Sequence, residues 1–155
     1  MKPSVFRCKC FESGCQGADR YANAIPRASA CRSSSKLVIT VDIQSPCLLI
    51  YPINEWNKVA DKLLGLSDFQ PQERAMKRLM LGYAQECELD ANGRVLLTPP
   101  LRQYASLEKK TMLVGQLNKF ELWDEQVWQQ QLADSLEMIK SQGLTASERL
   151  ADFSL

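Results

Sequence analysis

The sequence predicts an α+β protein built from two copies of one small β-rich unit, with a helical connector between them and a helix after them. Three observations carry this. Short β-branched and apolar runs alternate with stretches of helical periodicity from residue 36 onward. A strand ending in an aromatic, followed by a helix start and then Trp, occurs twice in the same order. A turn signal, Asp90-Ala91-Asn92-Gly93, sits between two apolar segments.

Taken in order, Arg7 to Ser35 shows neither helical nor strand periodicity and is expected to carry little regular structure. Leu37-Val38-Ile39-Thr40-Val41 reads as a strand and Cys47-Leu48-Leu49-Ile50-Tyr51 as its neighbour, with Ser45-Pro46 as punctuation. Pro52 opens a helix whose Trp56, Val59, Ala60, Leu63 and Leu64 fall on one face, and Gly65 closes it. A second helix is expected from Pro71 to Tyr83, with Ala75, Met76, Leu79 and Met80 inward and Arg74, Lys77 and Arg78 outward. The next strands are Cys87-Glu88-Leu89 and Arg94-Val95-Leu96-Leu97, followed by a short helix that Pro99 and Pro100 begin. Met112-Leu113-Val114 and Phe120-Glu121-Leu122-Trp123 complete the strands. Asp124 caps a helix to about Ser141, and the tail from Gly143 is polar. A helical connector is expected at 56–83 and a C-terminal helix and tail at 128–155.

With 155 residues, 45% apolar and 24% charged, the chain has the composition of a soluble globular protein. It contains no 18-residue apolar run and no signal-like N-terminus, so a cytoplasmic protein with no membrane partner is expected. Its formal charge of +1 means that nucleic-acid binding has to come from a local patch or from many subunits. Histidine is absent, which removes the commonest general base and zinc ligand. Four of the six cysteines (Cys8, Cys10, Cys15, Cys31) crowd the first fifth of the chain at spacings that match no common zinc framework. No metal or other cofactor is therefore expected. Cys47 and Cys87 read as small buried apolar groups.

The duplication aligns Ile50-Tyr51-Pro52-Ile53-Asn54-Glu55-Trp56 with Leu122-Trp123-Asp124-Glu125-Gln126-Val127-Trp128. The turn unit Leu89-Asp90-Ala91-Asn92-Gly93-Arg94-Val95 should then have a partner roughly seventy residues earlier, and none is present. The codons for Cys8 to Ser29, read from the second letter of each, permit A-S-A-L-N-L-D-A-K-G-R-I-A-M-P-T-R-Y-R-E-R-L. Its L-D-A-K-G-R-I is the missing partner. Residues from 8 to the low thirties are thus expected to be a frameshift product, with Val5-Phe6-Arg7 as the original start and the cysteine cluster as a by-product. A chain without those strands should leave Leu37–Val41 without neighbours.

On Pro46-Cys47-Leu48-Leu49-Ile50-Tyr51-Pro52, Asp90-x-x-Gly93-Arg94, and Met112 to Trp123, the chain resembles the MraZ family of the AbrB-like superfamily. The resemblance implies paired AbrB-like units, 8–55 (intact only from about 36) and 84–127, of the swapped-hairpin or double-psi β-barrel type. It also implies ring-shaped homo-oligomers that bind double-stranded DNA at short direct repeats upstream of the cell-division and cell-wall gene cluster. Such a regulator would work in the cytoplasm on the nucleoid. The family's Asp-x-x-x-Arg motif should occur twice but stands here only as Asp90 and Arg94.

A turn of this type has a plain structural role, with Gly93 supplying positive φ and Asp90 accepting backbone amides. It can also present Arg94 to guanine or phosphate. Arg102, Lys109, Lys110 and Lys119 are candidate phosphate contacts. Each alone is an ordinary surface charge, but a ring multiplies a weak patch. No phosphate-binding glycine loop, activated cysteine or catalytic constellation is present, so neither an enzyme nor a small-molecule substrate is expected. The competing class is a non-enzymatic AbrB-like scaffold or partner-binding oligomer that has lost DNA binding.

Overall fold

A computed structural model describes residues 5–7, 36–89 and 94–142. Expectations about the segment 8–35 and its cysteines, about Asp90 and Gly93, and about the tail from Gly143 lie outside the described residues.

Among the described residues, seven strands and four helices follow in order: β1 (Val5–Arg7), β2 (Lys36–Val41), β3 (Leu48–Pro52), α1 (Ile53–Leu64), α2 (Pro71–Gly82), β4 (Gln85–Glu88), β5 (Arg94–Leu96), α3 (Pro99–Tyr104), β6 (Thr111–Gly115), β7 (Phe120–Asp124) and α4 (Glu125–Gln142). The α+β class read from the sequence holds. β4, β2, β3, β7 and β6 form one antiparallel sheet in that order, and β1 pairs with β5 separately.

The sheet is buried on both faces because its strands alternate two apolar sets. Ile39, Val41, Leu48, Ile50 and Leu122 pack with Val95 of β5, Leu97 just after it and Leu101 of α3. Val38, Leu49, Tyr51 and Trp123 pack on the opposite face with Trp56 and Leu63 of α1 and Met80 of α2. Each fully buried aliphatic side chain contributes about 1.5–3 kcal/mol. Thr40 lies wholly inside this second layer, where its hydroxyl donates to the Met80 carbonyl at 2.6 Å. That bond ties the sheet to the last turn of α2.

The duplication is written into the register. Tyr51 and Trp123 occupy equivalent places, and each stacks on the Trp five residues later: Tyr51 on Trp56 at 5.8 Å and Trp123 on Trp128 at 5.6 Å. With the strands so aligned, Leu48 corresponds to Phe120 and Ile50 to Leu122. β3 and β7 pair Leu48 with Leu122 and Ile50 with Phe120, and these two pairs exchange under the correspondence. Leu49 pairs with its own counterpart, Glu121. A local two-fold axis therefore passes between Leu49 and Glu121. Glu121 is buried there, and its carboxylate accepts from the Gln116 amide and from the Trp123 indole N–H at 3.1 Å.

Three expectations need correction. β2 does not lose its neighbours. It pairs with β3 on one side and with β4, from the second half, on the other. Leu64, assigned to the inner face of α1, is 68% exposed, because Leu63 already fills that place at the end of the helix. The inward face of α2 is also rotated. Ala75 and Leu79 are exposed, while Glu73, Met76, Lys77 and Met80 lie against the protein. The cause is polar: Glu73 accepts from the Ser67 amide, and Lys77 donates to the Leu66 carbonyl at 3.2 Å and to Asp68 at 2.8 Å. These bonds turn the helix toward the preceding loop. The cap expected at Asp124 is present, its carboxylate accepting from the Gln126 amide at 3.0 Å.

Candidate nucleic-acid interface

Arg94 opens β5, half-buried. β1 and β5 set Arg7 directly opposite Arg94 in the antiparallel register. Directly opposed positions in such a pair hold their Cβ atoms about 4.5–5.5 Å apart. Sequence reasoning passed over Arg7, because nothing local to Val5-Phe6-Arg7 announces a partner almost ninety residues away.

The remaining basic candidates do not converge on one patch. Arg102 lies in the last turn of α3, half-buried. The helix is tied to the β2–β3 turn by the Tyr104 hydroxyl, which donates to the Asp42 carbonyl at 2.7 Å. Lys109 and Lys110 are exposed in the loop before β6, and Lys110 pairs with Glu125 at 3.4 Å. They line a shallow hollow together with Glu108, Asp124, Glu125 and Gln126, so carboxylates are interleaved with the lysines. Lys119 stands at the other end of the same hairpin, in the Gln116–Lys119 turn. Six residue steps, from Lys110 to Gln116 at ~3.3 Å each, separate the two ends by about 20 Å.

The two described thiols are built for packing. Cys47 is fully buried, and burial, reinforced by the Asp42 and Glu121 carboxylates, pushes its thiol far up. Burial alone raises Cys87 to about 11. Neither is a nucleophile at neutral pH. Among the described residues there is no group of three or more side chains that could hold a metal ion, and no helix is long and apolar enough to cross a membrane.

The family model described as "MraZ protein, putative antitoxin-like" matches residues 30–79 and 80–151. This chain belongs to the MraZ family. It is 68% identical over 126 residues to the "Transcriptional regulator MraZ" of Shewanella pealeana, a match covering 81% of this chain and 82% of that one. The protein of the same name from Shewanella halifaxensis is 69% identical over 126 residues, again 81% of this chain and 82% of the relative. That of Shewanella violacea is 68% identical over 122 residues, 79% of this chain and 80% of the relative.

Proposed function

We propose that this MraZ-family chain is a DNA-binding transcriptional regulator, acting in the cytoplasm on the nucleoid and not as an enzyme. The observation that carries the reading is its identity of about two-thirds, over four-fifths of both chains, to proteins named transcriptional regulators. Its targets are short direct repeats upstream of the cell-division and cell-wall gene cluster, bound by a ring-shaped homo-oligomer. Arg94 reads guanine or bridges phosphate, set there by the turn of Asp90 and Gly93. Arg102 and Lys119 add phosphate contacts, and Lys109 and Lys110 weaker ones, given the carboxylates beside them. A monomer of net charge +1 binds a polyanion weakly, so repetition around a ring supplies the affinity. The apolar residues that α4 leaves exposed, Leu132, Leu136, Met138 and Ile139, offer surface for self-association.

Fluorescence anisotropy with a labelled fragment bearing the repeats, across a salt series, tests the reading. Binding should weaken steeply with salt. Arg94→Ala should cost about 1–3 kcal/mol against the repeats, and Lys119→Ala should lower the salt slope by about one. If the full chain forms oligomers but binds no DNA at low salt, the scaffold reading replaces this one.

A further inference from the structure

The two outer strands of the sheet differ in chemistry. β4 carries Glu86 and Glu88, both exposed, and charges of one sign keep a strand edge from pairing with its like. β6, Thr-Met-Leu-Val-Gly, has neither charge nor proline, and among the described residues it pairs only with β7. The pairs Leu37–Pro52 and Thr111–Asp124 make β6 the counterpart of β2, which is flanked on both sides. Burial records what β6 lacks. Val38 and Ile39 are 1% and 0% exposed, while their counterparts Met112 and Leu113 are 37% exposed and half-buried. The hydrogen-bond alternation identifies which groups are open. The Gln116 amide donates to Lys119 and the Glu125 amide to Lys110, so residues 112 and 114 also turn toward β7. The backbone groups of Thr111, Leu113 and Gly115 face outward.

We propose that this edge is an interface for a second copy of the chain, β6 pairing antiparallel with the partner's β6 about a two-fold axis at Leu113. The open groups fit this register. Leu113 lies opposite the partner's Leu113 and Thr111 opposite the partner's Gly115, so each outward amide meets an outward carbonyl. Met112 falls opposite the partner's Val114, which covers the exposed part of both. The flanking charges agree. Lys110 meets the partner's Gln116 and Lys109 the partner's Leu117, so no like charges are opposed. The antiparallel sense also brings the turn of Lys119 toward the other end of the partner's hairpin, where Glu108, Asp124 and Glu125 outnumber Lys109 and Lys110. The axis stands perpendicular to the sheet, so both apolar layers continue across the joint. Leu113 packs with the layer of Ile39 and Val114 with that of Trp123 in each copy. One edge serves both copies, so the contact closes at two. This pairing goes beyond the proposed function and requires neither DNA nor a ring.

Isotope-filtered NMR on an equal mixture of labelled and unlabelled full chain tests the register directly. An intermolecular NOE between the α-protons of Met112 and Val114 is expected, since the filter removes every contact within one copy. The amides of Thr111, Leu113 and Gly115 should exchange about tenfold more slowly at high protein concentration than at low, with Met112 and Val114, already bonded to β7, unchanged. Two variants break the joint by different means. Leu113→Pro removes only an outward N–H, a change that edge strands tolerate. Leu113→Lys sets two ammonium groups opposite each other at the axis. Both should abolish the NOE while the amides of Met112 and Val114 stay protected, which reports that β6 still lies on β7. Absence of the NOE in the unaltered chain overturns the proposal. So does exchange at Thr111 and Leu113 that is independent of concentration, or an NOE that survives in both variants.

Discussion

At the scale of single residues, the interior depends on polar groups as much as on apolar ones. Thr40→Val keeps the shape of the side chain but leaves the Met80 carbonyl buried without its donor. The expected loss is about 1–3 kcal/mol, read as a lower urea midpoint with an unchanged slope. Leu117 presents the opposite case. It sits at φ 59°, and the Asn118 amide donates to the Gln116 carbonyl across it, a γ-turn of the rare, strained hand. Its side chain is 86% exposed and anchors nothing. Leu117→Gly should therefore raise stability, by up to about 1 kcal/mol, measured as a higher Tm. The thiols give a pH signature. Cys87 is raised from 9.0 to about 11, and Cys47 moves in the same direction. A thiol raised in the folded state contributes stability that is complete below its unfolded value and lost as pH climbs toward the folded one. Stability should hold to about pH 9 and decline between 9 and 11, with both thiols resisting iodoacetamide below that range until the protein unfolds. Thr40 and Leu117 carried no signal in the sequence, since only the fold supplies the Met80 carbonyl and the tight turn, whereas the burial of the two thiols was read from their apolar context.

At the scale of elements, most of the architecture could be read from local pattern. The β-branched run of β2, the Pro-opened α1 and α2, the double proline of α3 and the Asp124 cap of α4 are signals a few residues long, and each element stands where its signal placed it. What pattern could not give was which side of a marginal helix faces inward. α2 has few strongly apolar residues, so the bonds of Glu73 and Lys77 to the 66–68 loop decide its rotation. Such contacts have no periodicity to betray them. The same reasoning yields a prediction. Lys77→Met, which removes both bonds yet stays helical, should free the loop, seen as faster amide exchange at 66–69. The core bond of Thr40 should keep the end of α2 in place.

At the scale of the whole molecule, the duplication was legible but its interlock was not. Sequence similarity between Ile50–Trp56 and Leu122–Trp128 says that two units exist, yet not that β4 of the second half completes the sheet beside β2 of the first. Strand pairing at that separation leaves no local trace. The candidate site shares this limit: Arg94 was singled out from the sequence, whereas the opposed position of Arg7 came only with the register. An interlocked sheet predicts that neither half is stable alone. Residues 1–66 and 67–155 produced separately should be largely unfolded by circular dichroism and should gain structure on mixing. The central pairing of Leu49 with Glu121 also has a meaning for synthesis. β7, which pairs with β3, is synthesised about seventy residues after it, so until Phe120–Asp124 emerge the apolar middle of the sheet stands as an open edge. A chain arrested before Phe120 should therefore be a sticky product rather than a small stable domain.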